Sequence, residues 1–159
     1  MPLLDYCVSG AILSDMEVSD KEDAIRQLIA ALAESGKIPS SKVRSITNDV
    51  LGRERQATTG IGQGVGVPHA RTKHVSEIRI AIGKVASGLD FEAVDGERVR
   101  VIMLIISPAI QAKAEEHLQV MKSIVKIVRD PYQCKRLHGC TTPESFLDLL
   151  AELDRGAYA

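Results

Sequence analysis

Apolar positions along this chain change their spacing several times, and each change marks an element. Between residues 19 and 34 they recur at helical intervals, with Ile25, Leu28, Ile29 and Leu32 on one face. Ser19 with Glu22 makes a capping-box pattern at the start of this stretch, and Gly36 is placed to end it. A second helix is predicted over 41–53, with Val43, Ile46, Val50 and Leu51 turned inward. Residues 78–85 are rich in β-branched side chains and partly alternate, while 99–107 is almost wholly apolar. Both read as strands, the second covered on two faces. Between them Ser87-Gly88 and Asp95-Gly96 mark turns. A helix is predicted over 113–129, its apolar face formed by Leu118, Met121, Ile124, Val125 and Val128, and Asp130-Pro131 ends it. Thr142 and Pro143 open a last helix over 143–153, with Phe146, Leu149 and Leu150 inward. Helices and strands interleave without repeat, linker or charge block, which predicts a single α/β domain over residues 1–159.

Composition narrows the classes of function. With 45% apolar and 26% charged residues in 159, the chain has the balance of a folded domain rather than a disordered one. Lys and Arg number 20 against 21 for Asp and Glu, a formal net charge of −1, which argues against a nucleic-acid binder with a basic face. The absence of Trp, with two Phe and three Tyr, leaves few platforms for stacking on bases. Apolar runs such as Val101 to Ile106 reach six residues, too short for membrane insertion. The start, MPLLDYCVSG, lacks the basic and long apolar regions of a secretory signal, so a cytoplasmic protein is expected. Cys7, Cys134 and Cys140 are odd in number and irregularly spaced, which suits neither a disulfide framework nor a zinc site.

The stretch Thr58-Thr59-Gly60-Ile61-Gly62-Gln63-Gly64-Val65-Gly66-Val67-Pro68-His69 has a different texture. It reads as a loop entering a short strand that stops at Pro68. A dinucleotide fingerprint would need G-x-G-x-x-G opening a helix, and a Walker loop would need Gly-Lys followed by Ser or Thr; neither is present. Alternating glycines are also what a tight, closely packed turn uses. His69, at the exit of this segment, gives the glycines a second meaning. A neutral imidazole is a usable nucleophile, and a glycine-lined wall lets a phosphoryl group approach it. Thr58 and Thr59 could donate hydroxyl hydrogen bonds to phosphate oxygens.

His117 borders the apolar face of its predicted helix, four residues before Met121 and seven before Ile124. It is either a half-buried histidine bonded to a carbonyl or a partner of His69, and spacing alone leaves both open. Arg53 and Arg55 sit where cations favour a helix C-terminus, and either could instead fold over an anion. His74 and His138 read as solvated loop residues. His69 and His74 are five apart with no thiolate or carboxylate cluster beside them, so no metal is expected.

The run Arg53-Glu54-Arg55, Thr58-Thr59-Gly60-Ile61-Gly62 and Gly64-Val65-Gly66-Val67-Pro68-His69-Ala70 resembles the active-site signature of enzyme IIA domains of the bacterial phosphoenolpyruvate-dependent phosphotransferase system, of the fructose/mannitol/nitrogen-regulatory type. Glu116-His117-Leu118 is similar to that family's second histidine motif. The likeness extends through Asp90-Phe91, Asp95 and the closing Thr142-Pro143-Glu144-Ser145-Phe146. Gly66 stands where the family commonly has Ala, and Gln63 where the mannitol type has an acidic residue. The resemblance implies a mixed, mostly parallel β-sheet sandwiched between helices. It implies that His69 accepts a phosphoryl group from the histidine phosphocarrier protein, with His117 supporting that group and Arg53 offsetting its charge. Thr58, Thr59, Gly62 and Gly64 would line the phosphoryl approach, and no cofactor is needed. A chain without attached IIB or IIC domains favours a nitrogen-regulatory protein that signals through its phosphorylation state to a regulatory target. A sugar-specific IIA passing phosphate to a IIB component, and a binding module that has lost transfer, are the alternatives.

Overall fold

The computed structural model describes residues 2–156 of the chain. Its centre is β6 (Val99–Pro108), the nearly unbroken apolar run, in which only Arg100 is exposed. β5 (Arg79–Leu89) pairs with it antiparallel. On its other side β3 (Val65–Gly66) and then β4 (His69–Thr72) lie parallel to it. β1 (Cys7–Leu13) joins β5 in parallel, and β2 (Gly60–Gly62) closes the far edge antiparallel to β3. The sheet order is β1-β5-β6-β3-β2, with β4 pairing β6 further along. It is the mixed, mostly parallel sheet expected.

Period-two alternation along β6 divides the core. Ile102, Leu104 and Ile106 face one side and meet Ile25, Leu28 and Ile29 of α1 (Lys21–Glu34) and Ile46 and Val50 of α2 (Val43–Gln56). Val101, Met103 and Ile105 face the other, against Val120 and Ile124 of α3 (Ala114–Arg129), Leu137 of α4 (Pro131–Gly139) and Phe146 and Leu150 of α5 (Pro143–Arg155). Each fully buried aliphatic or aromatic side chain stabilises these layers by about 1.5–3 kcal/mol. Among the described residues no helix is long and apolar enough to cross a membrane.

Several local expectations are corrected. The N-cap of α1 is Asp20, not Ser19: its carboxylate accepts the Asp23 N–H, and Asp23 in turn accepts the Ser19 N–H. The cap is therefore one-sided at the N-cap itself: Asp23 reaches past Asp20 to the amide of the preceding residue, so the reciprocal capping box does not form. α2 continues to Gln56, past the predicted stop. β5 runs through Ser87-Gly88 to Leu89, because a register shift after Lys84 absorbs the positive φ of Gly88 (74°) as a bulge rather than a turn. On α3 the buried side chains include Val120 and Ile127, while Leu118 is exposed, so the true face is rotated from the predicted one. β1 and α4 have no predicted counterpart: β1 is an edge strand broken by Ser9-Gly10, and α4 is a nine-residue helix. The glycine segment folds as a β2–β3 hairpin whose central Gln63 and Gly64 both have positive φ (58° and 74°), as a type I′ turn requires. His69 therefore opens strand β4 instead of following a strand that has ended.

Candidate active site

Backbone pairing fixes His69 before its side chain does anything. Val67 N–H donates to Thr59 O (2.9 Å), and Ile105 N–H donates to Pro68 O (3.0 Å), clamping the Val67-Pro68-His69 bend between the hairpin and β6. The His69 ring turns back on this bend, and its Nδ1 lies 2.8 Å from Val67 O. A carbonyl can only accept, so Nδ1 carries the proton and Nε2 keeps its lone pair. Partial burial holds the pKa of His69 below the ordinary histidine value, and Arg53 lowers it further; Val67 O and Glu54 oppose both. The ring is neutral at pH 7 with Nε2 as its basic atom.

His117 comes from the first turns of α3, and the ring centroids of His69 and His117 are 5.8 Å apart at 47°. Its Nδ1 lies 2.6 Å from Oγ of Ser107, near the end of β6. Burial, then the neighbouring His69 and Arg71, push its pKa down to about 4. Both histidines line a cleft of about 740 Å³ together with Arg53, from the last turn of α2, and Arg71 of β4. Arg53 Nη1 donates to Ala57 O (3.0 Å), and Arg71 Nη2 donates to Ile110 O (2.8 Å). Asp49, the acidic group on the wall, already accepts the Thr72 hydroxyl at 2.7 Å. The cleft thus offers one nucleophilic nitrogen, a second neutral imidazole and two guanidinium groups, a set suited to a transient anion.

The fold brings His69, His117 and Arg53 together but sends other predicted residues elsewhere. The Thr59 hydroxyl is buried and donates to Glu54 Oε1 (2.5 Å); that of Thr58 donates to Phe91 O (2.8 Å). Gly62 packs by Asp95, and Gly64 lies under the His138 ring. None of these four lines the His69 cleft. Here the hydroxyls of Thr58 and Thr59 and the two glycines build the hairpin that aims Val67. Arg55 points away to an ion pair with Glu22. His138 is on α4 rather than in a loop, with Nε2 2.7 Å from Gln63 O. His74 is half-buried at the cleft edge.

Arg71 in the cleft, Ser107 against His117 and Glu54 under Thr59 are residues that sequence patterning did not assign. A larger polar cleft of about 1020 Å³ lies on the other side of Glu54. Lys21 pairs with Glu54 and Arg55 with Glu22 along its wall, and no histidine lines it. Among the described residues no three His, Cys, Asp or Glu side chains converge as a metal site would need.

Comparison with known proteins shows the family of the chain. Residues 6–153 match the family described as "Phosphoenolpyruvate-dependent sugar phosphotransferase system, EIIA 2", and the chain belongs to that family. Domains of this family are phosphotransferase components, accepting and passing on phosphoryl groups between proteins. A nitrogen regulatory protein of Bradyrhizobium diazoefficiens is 28% identical over 151 residues, 95% of each chain. A fructose-specific EIIA component of Haloferax volcanii is 32% identical over 133 residues, 84% of each chain. In fold, the chain is similar to nitrogen regulatory protein IIA-Ntr from Neisseria meningitidis, with a TM-score of 0.82 and 24% identity over 93% of this chain and 98% of that one. It is also similar to Escherichia coli enzyme IIA mannitol, solved in complex with phosphorylated enzyme IIB mannitol, with a TM-score of 0.73 and 22% identity over 91% and 96%.

Proposed function

We propose that the chain is a histidine phosphocarrier in which Nε2 of His69 accepts a phosphoryl group from the phosphorylated histidine phosphocarrier protein. The single observation that carries this reading is the hydrogen bond from His69 Nδ1 to Val67 O, which leaves Nε2 as a lone pair beside His117 in a cationic cleft. Nε2 attacks phosphorus in line as the donor's P–N bond breaks. The donor ring, still protonated on its other nitrogen, leaves as neutral imidazole. His69 keeps its Nδ1 proton on Val67 O, so the product ring carries a positive charge beside the dianionic phosphoryl group. The transition state is loose, so positioning and charge stabilisation supply most of the rate. Arg53 and Arg71 offset the roughly −1.5 to −2 charge of the bound group near pH 7, and the neutral His117 hydrogen-bonds its oxygens.

The use we assign to this chemistry is nitrogen-regulatory: the phosphorylation state of His69 alters binding to a regulatory target. Relatives named for nitrogen regulation and for fructose uptake both cover most of the chain, and the cleft residues serve either purpose. Incubation with phosphoenolpyruvate, enzyme I and the histidine phosphocarrier protein should give acid-labile phosphate on wild type and none on His69→Ala. Unlabelled wild type with a competent donor overturns transfer and leaves a binding module. Onward transfer to fructose- or mannitol-type IIB components overturns the regulatory use; retention of the phosphoryl group in their presence supports it.

A further inference from the structure

We propose that Ser107 fixes the tautomer and aim of His117, making it a positioning residue for phosphoryl transfer at His69; the transfer part of this assignment rests on the phosphocarrier reading above. Ser107 is fully buried near the end of β6, in a run of Ile, Leu and Met where an apolar residue would fit the sheet equally well. A hydroxyl taken from water into such a strand needs a hydrogen bond. Among the described residues its one side-chain partner is Nδ1 of His117, at 2.6 Å.

That pair has two arrangements, and they are unequal. If the ring donates Nδ1–H to Oγ, the hydroxyl proton is left in a buried strand with no acceptor among the described residues. If the hydroxyl donates to a bare Nδ1, every polar atom of the pair is satisfied. The second arrangement is lower in energy, because an unmade buried hydrogen bond costs more than a made one gains. An accepting Nδ1 puts the proton of the neutral ring on Nε2. His117 then presents an N–H donor where the opposite tautomer would present a lone pair, and a lone pair repels anionic phosphoryl oxygens.

The two imidazoles are consequently set in complementary states by different partners. The Val67 carbonyl holds the proton of His69 on Nδ1 and frees the Nε2 lone pair. The Ser107 hydroxyl holds the proton of His117 on Nε2 and makes it a donor. The rings sit 5.8 Å apart, so a phosphoryl group bonded to the first lies within reach of the second. The serine also anchors α3 to β6 at the level where β4 pairs Arg71 with Ser107, tying ring, cation and strand into one register.

The test combines a spectroscopic reading with a rate. In the 15N-labelled wild-type protein at neutral pH, two-bond 1H–15N correlations should show His117 as a single Nε2–H tautomer. Ser107→Ala should lose that single state and slow phosphoryl transfer to His69 by about tenfold, the rate equivalent of one ordinary hydrogen bond. In a His117→Ala background the same serine substitution should leave the rate unchanged, because Ser107 acts only through that ring. A wild-type proton on Nδ1 overturns the proposal, and that spectrum decides the matter even if the serine variant fails to fold. Equal slowing in both backgrounds also overturns it, since it reveals a general structural role. If wild type accepts no phosphoryl group at all, the phosphocarrier reading falls and the tautomer still decides whether Ser107 donates to His117.

Discussion

Glu54 is the buried carboxylate on which the site's scaffold converges, and truncating it to Ala should unfold the protein at markedly lower denaturant. Its side chain is 4% exposed and that of Lys21 15%. Oε2 accepts from Lys21 Nζ (3.0 Å) and from Thr59 N–H (2.8 Å), while Oε1 accepts the Thr59 hydroxyl (2.5 Å). Removing one member of a buried, hydrogen-bonded charge pair typically costs about 3–5 kcal/mol. Lys21 is not left stranded, for it still donates to Phe91 O (3.2 Å), lies over the Phe91 ring (4.8 Å) and keeps Glu92 at 3.8 Å. The lower end therefore applies, about 3 kcal/mol, which for a domain of this size lowers Tm by about 6–12 °C. Glu54→Gln keeps the shape and a carbonyl acceptor, and should cost about 1–2 kcal/mol. Urea unfolding at pH 7 followed by far-ultraviolet circular dichroism gives both values, and hydrogen exchange at the Thr59 amide reports the local loosening. An alanine variant within about 0.5 kcal/mol of wild type, the scale of an ordinary surface change, would refute the reasoning, as would Gln costing as much as Ala.

Two further outcomes follow from the geometry. A Cβ added at Gly66 would sit 2.9 Å from the fully buried ring of Phe91, so Gly66→Ala should cost about 1–3 kcal/mol of overpacking, and Phe91→Leu should relieve most of it; a neutral Gly66→Ala by urea unfolding would contradict the packing. The pKa of His117 is lowered to about 4 in the fold, and that of His69 is lowered too. The unfolded chain therefore binds more protons below the ordinary histidine pKa of about 6.5, and stability present above that pH drains away as pH falls towards 4. Urea midpoints measured from pH 7.5 to 4 should fall more steeply for wild type than for His117→Gln, and parallel curves would refute the assignment.

How much of this was legible in the sequence depended on whether the signal was local. β6 and α5 were readable because an unbroken apolar run and a Thr-Pro cap need no distant partner. β1 was not: its alternation is broken by Ser9-Gly10, and it becomes a strand by pairing with β5 some seventy residues away. The α1 cap was displaced by one residue because Ser19 and Asp20 both offer side-chain acceptors and only the backbone angles choose between them. At the site, His69, His117 and Arg53 came from the motif, and their meeting in one cleft is a tertiary fact. The hydroxyls of Thr58 and Thr59 looked free in a glycine-rich string, yet the hairpin turns them inward to Phe91 and Glu54. Ser107 gave no signal, because a serine closing an apolar strand is unremarkable until α3 lays a histidine against it.

Phosphoryl transfer through this cleft requires phosphorus to go to one nitrogen of one ring. Histidine-15N-labelled protein, phosphorylated through the histidine phosphocarrier protein and kept alkaline, can be read by 31P–15N coupling. One phosphohistidine is predicted, at residue 69, with phosphorus on Nε2 and the proton still on Nδ1 against Val67 O. Phosphorus on Nδ1, or on any other histidine, would contradict the account.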